Sequence, residues 1–590
     1  MVTYLLYTLL FPLAFGVCRL KRASKPIVET SYGTIRGKII NSQFMRHRDV
    51  FAFLGIPYAK PPLDELRFKK PEPPEPYNVE ILDATTYRNA CAQASGPPGI
   101  EMPSSEDCLY LNIFTPSLNS SAELPVGVWI HGGGFAHGSA TEISESTAAD
   151  NFASRDIVLV TVNYRLGPFG FLATFDKNVT AANAGLWDVI QALRWVQAEI
   201  KNFGGDPTHV TLFGQSAGAA ITDLLQISPK AEGLFQQMIL MSGSSYLDLY
   251  PSNFCQLNTS LELIARLDCY DCFEDWPPED GELLEIMKCL RNRTTEEILV
   301  VAEFPFMAAF RPVLDGPDGI FPESLEILRQ KRPPITIMIG ITKDEESIGL
   351  LKSAWENPNS LTTYNADYMM EEAMKVLKTY FHDKLDQVTT SLSDQIIRLG
   401  YLDNPGSGMA NPEPVFWMGK LSDLKTDAKF ARPAYLTAQT LAQKGSTVYI
   451  YEFDYLSDNA LTQNPQIPYR AIPHGYDGKL MFGGVGRPAM GWDVPDSAYN
   501  GSETDWQIYS QMGQMWTDFM KTGTPTPSGA DLRRWDPVQL DPASGEMPHN
   551  AYYSISTQPR MKNGFRGIGL NVWVKLIPRI AKITCTLRVN

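Results

Sequence analysis

Basic side chains are outnumbered in this 590-residue chain: 51 Lys and Arg stand against 66 Asp and Glu, a formal net charge of -15. A nucleic-acid partner needs a basic face, so the composition argues against one. An acidic surface that keeps the chain soluble is the plain reading. Long apolar runs are also missing. The one candidate, Met1–Val17, has the length of a signal-peptide core and is too short to span a bilayer. Ala14-Phe15-Gly16 fits a small-x-small cleavage site, so residues 1–17 are read as a signal peptide. No Lys or Arg precedes the run, and Arg19, Lys21 and Arg22 follow it, which leaves an uncleaved anchor as the alternative. No membrane span is expected after removal of the signal. Leu587-Arg-Val-Asn590 carries no KDEL-type retention signal. Internal repeats and low-complexity linkers are absent too.

Zinc spacing is lacking. Cys269-Tyr-Asp-Cys272 has no second close pair, since Cys255 and Cys289 stand alone, so disulfides are the better reading of the eight cysteines. Sequons at Asn119, Asn178, Asn258, Asn292 and Asn500 fit the same oxidising compartment. A secreted, glycosylated protein is expected.

What is present is an alternation of short apolar runs with helical stretches. The runs Val126–His131, Asp156–Asn163, His209–Gly214, Gln237–Met241, Ile335–Ile341 and Thr447–Phe453 read as strands buried on both faces. Between the second and third, Val189, Leu193, Val196 and Ile200 recur at helical spacing, which predicts a helix over Asp188–Phe203. This order predicts an α/β class: a mostly parallel central sheet with helices on both faces. Pro/Gly-rich stretches at 57–76, 95–103 and 523–529 read as loops. Residues 24–576 are taken as one large domain and 577–590 as a tail.

The chemistry begins at Gly214-Gln215-Ser216-Ala217-Gly218, preceded by a strand and followed by small residues that open a helix. A hydroxyl is a poor nucleophile until it is held exposed beside a base. In a Gly-x-Ser-x-Gly elbow, which this motif resembles, the glycines admit a sharp, strained turn that would lift Ser216 above the sheet. Upstream, Trp129-Ile-His-Gly-Gly-Gly-Phe135 follows another strand. Backbone N–H groups there can hold the oxyanion of a tetrahedral intermediate, and losing one such donor costs about 3 kcal/mol in comparable sites. The expected donors are Gly133, Gly134 and Ala217. No Gly-Lys-Ser/Thr follows, so a phosphate loop is disfavoured.

The expected chain order is Ser, then acid, then His. Three histidines follow Ser216. His382 lies in a charged helical stretch and His549 in a late polar loop. His474 follows a strand in Ile472-Pro-His-Gly-Tyr-Asp477 and is assigned as general base and acid. The acid should follow the strand Ile335–Ile341, where pattern alone leaves Asp344, Glu345 and Glu346 open.

Taken together, these residues resemble the type-B carboxylesterase/cholinesterase family. Phe53-Leu-Gly-Ile-Pro-Tyr-Ala-Lys-Pro-Pro62, Ser105-Glu-Asp-Cys-Leu-Tyr-Leu-Asn112, Asn163-Tyr-Arg-Leu-Gly167, Phe203-Gly-Gly-Asp-Pro207 and Met241-Ser-Gly-Ser244 carry the likeness over nearly the whole mature chain. The resemblance implies Glu345 as the acid and disulfides Cys91–Cys108 and Cys269–Cys289. By remainder Cys255 and Cys272 would pair, leaving Cys585 free or intermolecular. It also implies ion pairs Arg67–Glu106 and Arg165–Asp188, Ser242 as a serine behind the triad, and Phe306 and Ala308 lining an acyl pocket with room beyond acetyl.

Two departures bear on the substrate. Cholinesterases hold the quaternary ammonium on a Trp between the first two family cysteines. Residues 92–107 here contain no aromatic side chain. The family's usual Glu before the serine is Gln215, which removes a negative charge. His474-Gly-Tyr-Asp-Gly478 still looks cholinesterase-like, and Gln at the elbow also occurs in juvenile-hormone-esterase-like members. The expectation is a secreted serine carboxylic-ester hydrolase without choline specificity. It would act on a small-molecule ester with no metal or cofactor, and a homodimer is one assembly it allows. The alternative is an inactive, neuroligin-like adhesion protein. Such members generally lose a triad residue and add a membrane span; here all three triad residues are present.

Overall fold

Side chains alternate across a strand, and the two faces of the central sheet separate cleanly. In the computed structural model, Val126, Val128 and Ile130 join one apolar core, while Trp129 between them joins another. The structure describes residues 25–42, 48–93, 103–174, 176, 179–247, 253–270, 280–303, 306–381, 387–402, 413–457, 469–482, 502–529, 532–547 and 550–580.

The strands of the main sheet are β1 (Lys38–Asn41), β2 (Asp49–Pro57), β3 (Tyr110–Thr115), β4 (Leu124–Ile130), β5 (Val158–Val162), β6 (Gly205–Gln215), β7 (Gln237–Met241), β8 (Thr336–Thr342), β9 (Val448–Phe453), β10 (Tyr552–Ile555) and β11 (Arg560–Lys562). Their order is β11-β10-β9-β8-β7-β6-β4-β5-β3-β2-β1. From β5 across to β10 every neighbouring pair is parallel. The flanking pairs at both edges are antiparallel. The six expected strands are β4 to β9, with ends shifted by a few residues.

The antiparallel edges have no counterpart in the sequence reading, for a local reason. In β2 the register against β3 shifts between Phe53 and Ile56. Gly55 sits there at φ 71°, and the extra residue breaks the alternation.

Helices cover both faces. α1 (Ala184–Glu199) and α2 (Ala217–Gln226) pack with Val126, Leu212 and Leu240. Further on, α3 (Tyr476–Phe482) and α4 (Glu503–Thr522) pack with Trp129, Phe213 and Ile239 on the other face. α1 starts four residues before the predicted Asp188. Asn183 ahead of it offers no side-chain cap to the helix. Its amide instead clamps Val313 through both backbone groups, at 2.9 Å each. The predicted last turn, Ile200–Phe203, is a tighter 3-10 turn closed by Gly204 at φ 81°.

In this topology the C-terminal ends of β4, β6, β8 and β9 all open at one edge of the parallel block. Ligand sites in open α/β sheets form there.

Candidate active site

Ser216 stands between β6 and α2 at φ 56°, ψ -122°. A non-glycine residue in this region stores about 1–3 kcal/mol of strain that the surroundings must hold. They do so by close approach. A side chain at Gly214 would lie 2.4 Å from the carbonyl carbon of Gly218, and one at Gly218 would lie 2.1 Å from the Ile130 oxygen. The Ser216 N–H donates to the Met241 carbonyl at 2.8 Å, which ties the turn to β7.

The glycine loop after β4 lies against this elbow. A Cβ on Gly132 would sit 3.2 Å from Ser216 Cβ. Gly133 has φ 101° and folds tightly back, with the Ala136 and His137 N–H groups both donating to its carbonyl. Gly134 has φ 62°, and no described atom lies within 4 Å of where its Cβ would be. That open space lies on the loop expected to hold the oxyanion. His131, just before the loop, is buried and stacked on Tyr164 at 4.3 Å. Burial pulls its pKa down to about 4. A neutral ring of this kind packs the loop from below.

His474 follows β9 in the turn that enters α3. Its Nδ1 lies 2.5 Å from Glu345 Oε2, and its N–H donates to the Glu345 carbonyl at 3.1 Å. Glu345 is fully buried. Its other oxygen, Oε1, accepts from Ser242 Oγ at 2.5 Å and from the Thr342 N–H at 2.7 Å. The neighbouring carboxylates are turned elsewhere. Asp344 accepts from the Ile472 N–H at 2.9 Å, and Glu346 pairs with Lys429 at 3.0 Å. Of the three carboxylates the pattern left open, Glu345 is the one against the imidazole. Ser242 has φ 56° like Ser216, and its N–H donates to the Gly340 carbonyl at 2.8 Å. Gln215 Nε2 reaches His474 Nε2 at 3.3 Å.

Burial pulls the His474 pKa down, but the charge and hydrogen bond of Glu345, helped by Asp477 and Glu346, outweigh it. The net shift is upward. A buried imidazole held by a carboxylate, in contact with the residue that precedes a strained serine, has the chemistry to carry protons to and from an acyl centre.

A sequence model of the Carboxylesterase family matches residues 24–573. The chain belongs to the carboxylesterase family. This carboxylesterase is 32% identical to "Esterase cest-33" of Caenorhabditis elegans over 87% of its own length and 88% of the relative's. It is 30% identical to "Carboxylesterase 1C" of Rattus norvegicus over 94% of each chain. It is also 30% identical to "Acetylcholinesterase" of Bungarus fasciatus, over 95% of its own length and 88% of the relative's. It is a carboxylic ester hydrolase with an α/β-hydrolase fold.

The remaining expected residues of the carboxylesterase fall as follows. Disulfides join Cys91 to Cys108 and Cys269 to Cys289. The Cys255 side chain, Cys272 and Cys585 lie outside the described residues, as do His382, His549, Asn178 and Asn500. Asn119, Asn258 and Asn292 are exposed. Ala308 is half-buried on the short turn Phe306–Ala309, its carbonyl accepting from Arg311 Nε at 2.8 Å; the Phe306 side chain lies outside the described residues. Among the described residues no helix is long and apolar enough to cross a membrane.

Both expected ion pairs are present. Arg165 meets Asp188 at 2.8 and 2.7 Å. Arg67 meets Glu106 at 2.7 and 2.5 Å, and its remaining nitrogen donates to the carbonyls of Leu290, Arg291 and Arg293. Neutralising Glu106 would leave a buried guanidinium without its counter-charge. Glu106→Gln is therefore expected to lower unfolding free energy by about 3–5 kcal/mol. Urea denaturation at neutral pH measures it; a loss under about 1 kcal/mol would show that the carbonyls suffice.

Three features escaped the sequence reading. Asp477 is buried in the first turn of α3 and accepts from the Tyr451 hydroxyl at 3.0 Å. The Phe430 ring packs on His474 at 4.9 Å. Arg566 donates to the Lys343 carbonyl at 2.7 Å and pairs with Asp427 at 2.5 Å and Asp423 at 3.1 Å, bracing the strand end that carries Glu345. Arg566 and Asp427 are 139 residues apart, and no local pattern links them.

Proposed function

We propose that this hydrolase is a secreted serine esterase working through an acyl-enzyme, with Ser216, Glu345 and His474 as its triad. The observation that carries the reading is the hydrogen-bonded chain Ser242–Glu345–His474, whose far nitrogen meets Gln215, the residue just before a serine held at a strained left-handed turn.

Ser216 Oγ attacks the ester carbonyl while His474 Nε2 takes its proton. The carbonyl π pair moves onto oxygen, which the Gly133, Gly134 and Ala217 N–H groups receive. Collapse breaks the bond to the alkoxy group, and His474 returns the proton to the leaving alcohol. Water then repeats the sequence on the acyl-serine. Glu345 orients the ring and stabilises the imidazolium.

The substrate is proposed to be an uncharged ester. Supporting this, the segment between Cys91 and Cys108 offers no aromatic face for a quaternary ammonium, and Gln215 adds no negative charge. Secretion is supported by the N-terminal apolar run, the two disulfides and the sequons, and a homodimer is a compatible assembly.

The test is a panel of short-chain aryl, aliphatic and choline esters, with Ser216→Ala alongside. Aryl and aliphatic esters should turn over and acetylcholine should lag well behind. Ser216→Ala, checked for folding by circular dichroism, should turn over none. Activity surviving in that variant would remove Ser216 from the mechanism, and preference for acetylcholine would overturn the substrate assignment.

A further inference from the structure

We propose that Gln93 is a positioning residue for the oxyanion donors, its side-chain amide clamping Gly138 and so fixing the glycine loop from behind. The inference rests on the loop after β4 being the oxyanion holder, as argued above.

The aim of a backbone N–H is set by the carbonyl of the preceding residue. The two share one rigid trans peptide and point in opposite directions. The carbonyl behind the Gly133 N–H belongs to Gly132. It accepts from His131 Nδ1 at 2.9 Å. A carbonyl cannot donate, so Nδ1 carries the proton of the neutral ring. The carbonyl behind the Gly134 N–H belongs to Gly133, and the Ala136 and His137 N–H groups hold it at 3.0 and 3.1 Å. Both proposed donors are therefore aimed by carbonyls anchored within the loop itself.

Gly138 is the surface against which the first of these anchors rests. A Cβ there would lie 2.4 Å from His131 Nδ1 and 2.8 Å from the Gly132 oxygen. Its φ of 117° is a conformation that glycine adopts freely. What keeps Gly138 in place comes from outside the loop. Gln93 Nε2 donates to the Gly138 carbonyl at 3.0 Å, and the Gly138 N–H donates to Gln93 Oε1 at 3.0 Å. One side-chain amide thus satisfies both backbone groups of one glycine, as a paired strand would. The same Nε2 donates to the Cys91 carbonyl at 2.9 Å. Cys91 is buried and bonded to Cys108.

A second amide repeats the tie two residues on. Asn163, just after β5, accepts from the Ala140 N–H at 2.7 Å and donates to the Asn89 carbonyl at 3.0 Å. Both amides join the loop to the segment beside the disulfide. Gln93 holds the residue that touches the Gly132 carbonyl, so its loss is felt at the Gly133 N–H. None of these bonds uses the N–H of Gly133 or Gly134.

The test compares wild type, Gln93→Met and Gln93→Glu in the full-length protein. Gln93→Met keeps the length and removes the amide. Gln93→Glu keeps an acceptor for the Gly138 N–H but turns a second oxygen toward the Gly138 carbonyl. Three readouts are taken: kcat and KM for a short-chain aryl ester, the affinity of an aryl trifluoromethyl ketone, and the melting temperature. The serine adds to this ketone to form a hemiketal, whose negative oxygen stands where the oxyanion does. Gln93→Met should lower kcat about 10–100-fold, weaken the ketone by a similar factor and leave KM within about twofold. Gln93→Glu should move kcat and ketone affinity in the same direction. A merely structural role would lower the melting temperature and leave both quantities in place for the folded protein. That result overturns the proposal, as does a fall in kcat without weaker ketone binding. Should Gln93→Met not fold, Gln93→Glu decides by the same readouts. A wild type that neither turns over an ester nor binds the ketone would sink the hydrolase mechanism and the clamp with it. An active wild type with unchanged variants would sink the clamp alone.

Discussion

Replacing His474 by Gln is expected to lower kcat for a short-chain aryl ester by a factor on the order of 10⁵–10⁶, as loss of the base does in serine hydrolases. Ser216 would keep its place, because its turn is set by glycine contacts and a backbone bond to Met241 that do not involve His474. What disappears is the group that takes the Oγ proton and returns it to the alcohol. The residual rate would come from the oxyanion donors and from substrate binding. The same assignment fixes a pH dependence with a definite sign. As the proposed base, His474 would act only when neutral, and its pKa is raised from the ordinary 6.5. The wild-type kcat/KM should therefore rise with pH through a midpoint above 6.5, and a midpoint below that value would contradict the net influence of Glu345 on the ring. For folding stability the sign is opposite. A histidine whose pKa is raised in the fold contributes stability below its unfolded pKa, and that contribution is lost as pH rises through the folded value.

Glu345→Gln is the second large effect, expected at about 10⁴-fold in kcat. The magnitude follows from which oxygen is already engaged. Glu345 Oε1 accepts from the Ser242 hydroxyl and the Thr342 N–H. In the variant those two donors select the amide oxygen, and the NH2 group must face His474 Nδ1. A donor there forces Nδ1 to accept, so the ring proton moves to Nε2 and points toward the serine side. The base is then present in the wrong tautomer. Adding Ser242→Ala and Thr342→Pro would be the crude way to free the orientation; Ser242→Ala alone leaves the Thr342 donor and should recover little. Stopped-flow measurement of acylation reads the effect directly. A loss under about tenfold would mean that Glu345 only packs against the ring.

The legible parts of this molecule are those where function or packing forces a local pattern. The strands β4 to β9 are buried on both faces, so they read as apolar runs whatever they pair with. The elbow and the glycine loop after β4 could be read because close backbone approach demands glycine at Gly214, Gly218 and Gly133. His474 could be read from its position after a strand. Glu345 could not be separated from Asp344 and Glu346 by pattern, because all three sit in one polar turn and differ only in where β8 points them. The family resemblance singled it out. Of the edge strands, β2 was missed because a bulge at Gly55 interrupts its alternation. Arg566 and Asp427 meet across 139 residues, and each looks like an ordinary surface charge in its own segment. Gln215 was noticed as a departure, but its contact with His474 spans 259 residues and has no local pattern.

Ser216 is the proposed nucleophile. The most direct measurement is mass spectrometry of the wild-type protein after reaction with a fluorophosphonate, followed by peptide mapping. One phosphonate per chain is expected, on Ser216, formed in parallel with loss of esterase activity and absent in Ser216→Ala. Stoichiometric labelling at another residue, or inactivation with Ser216 unmodified, would contradict it.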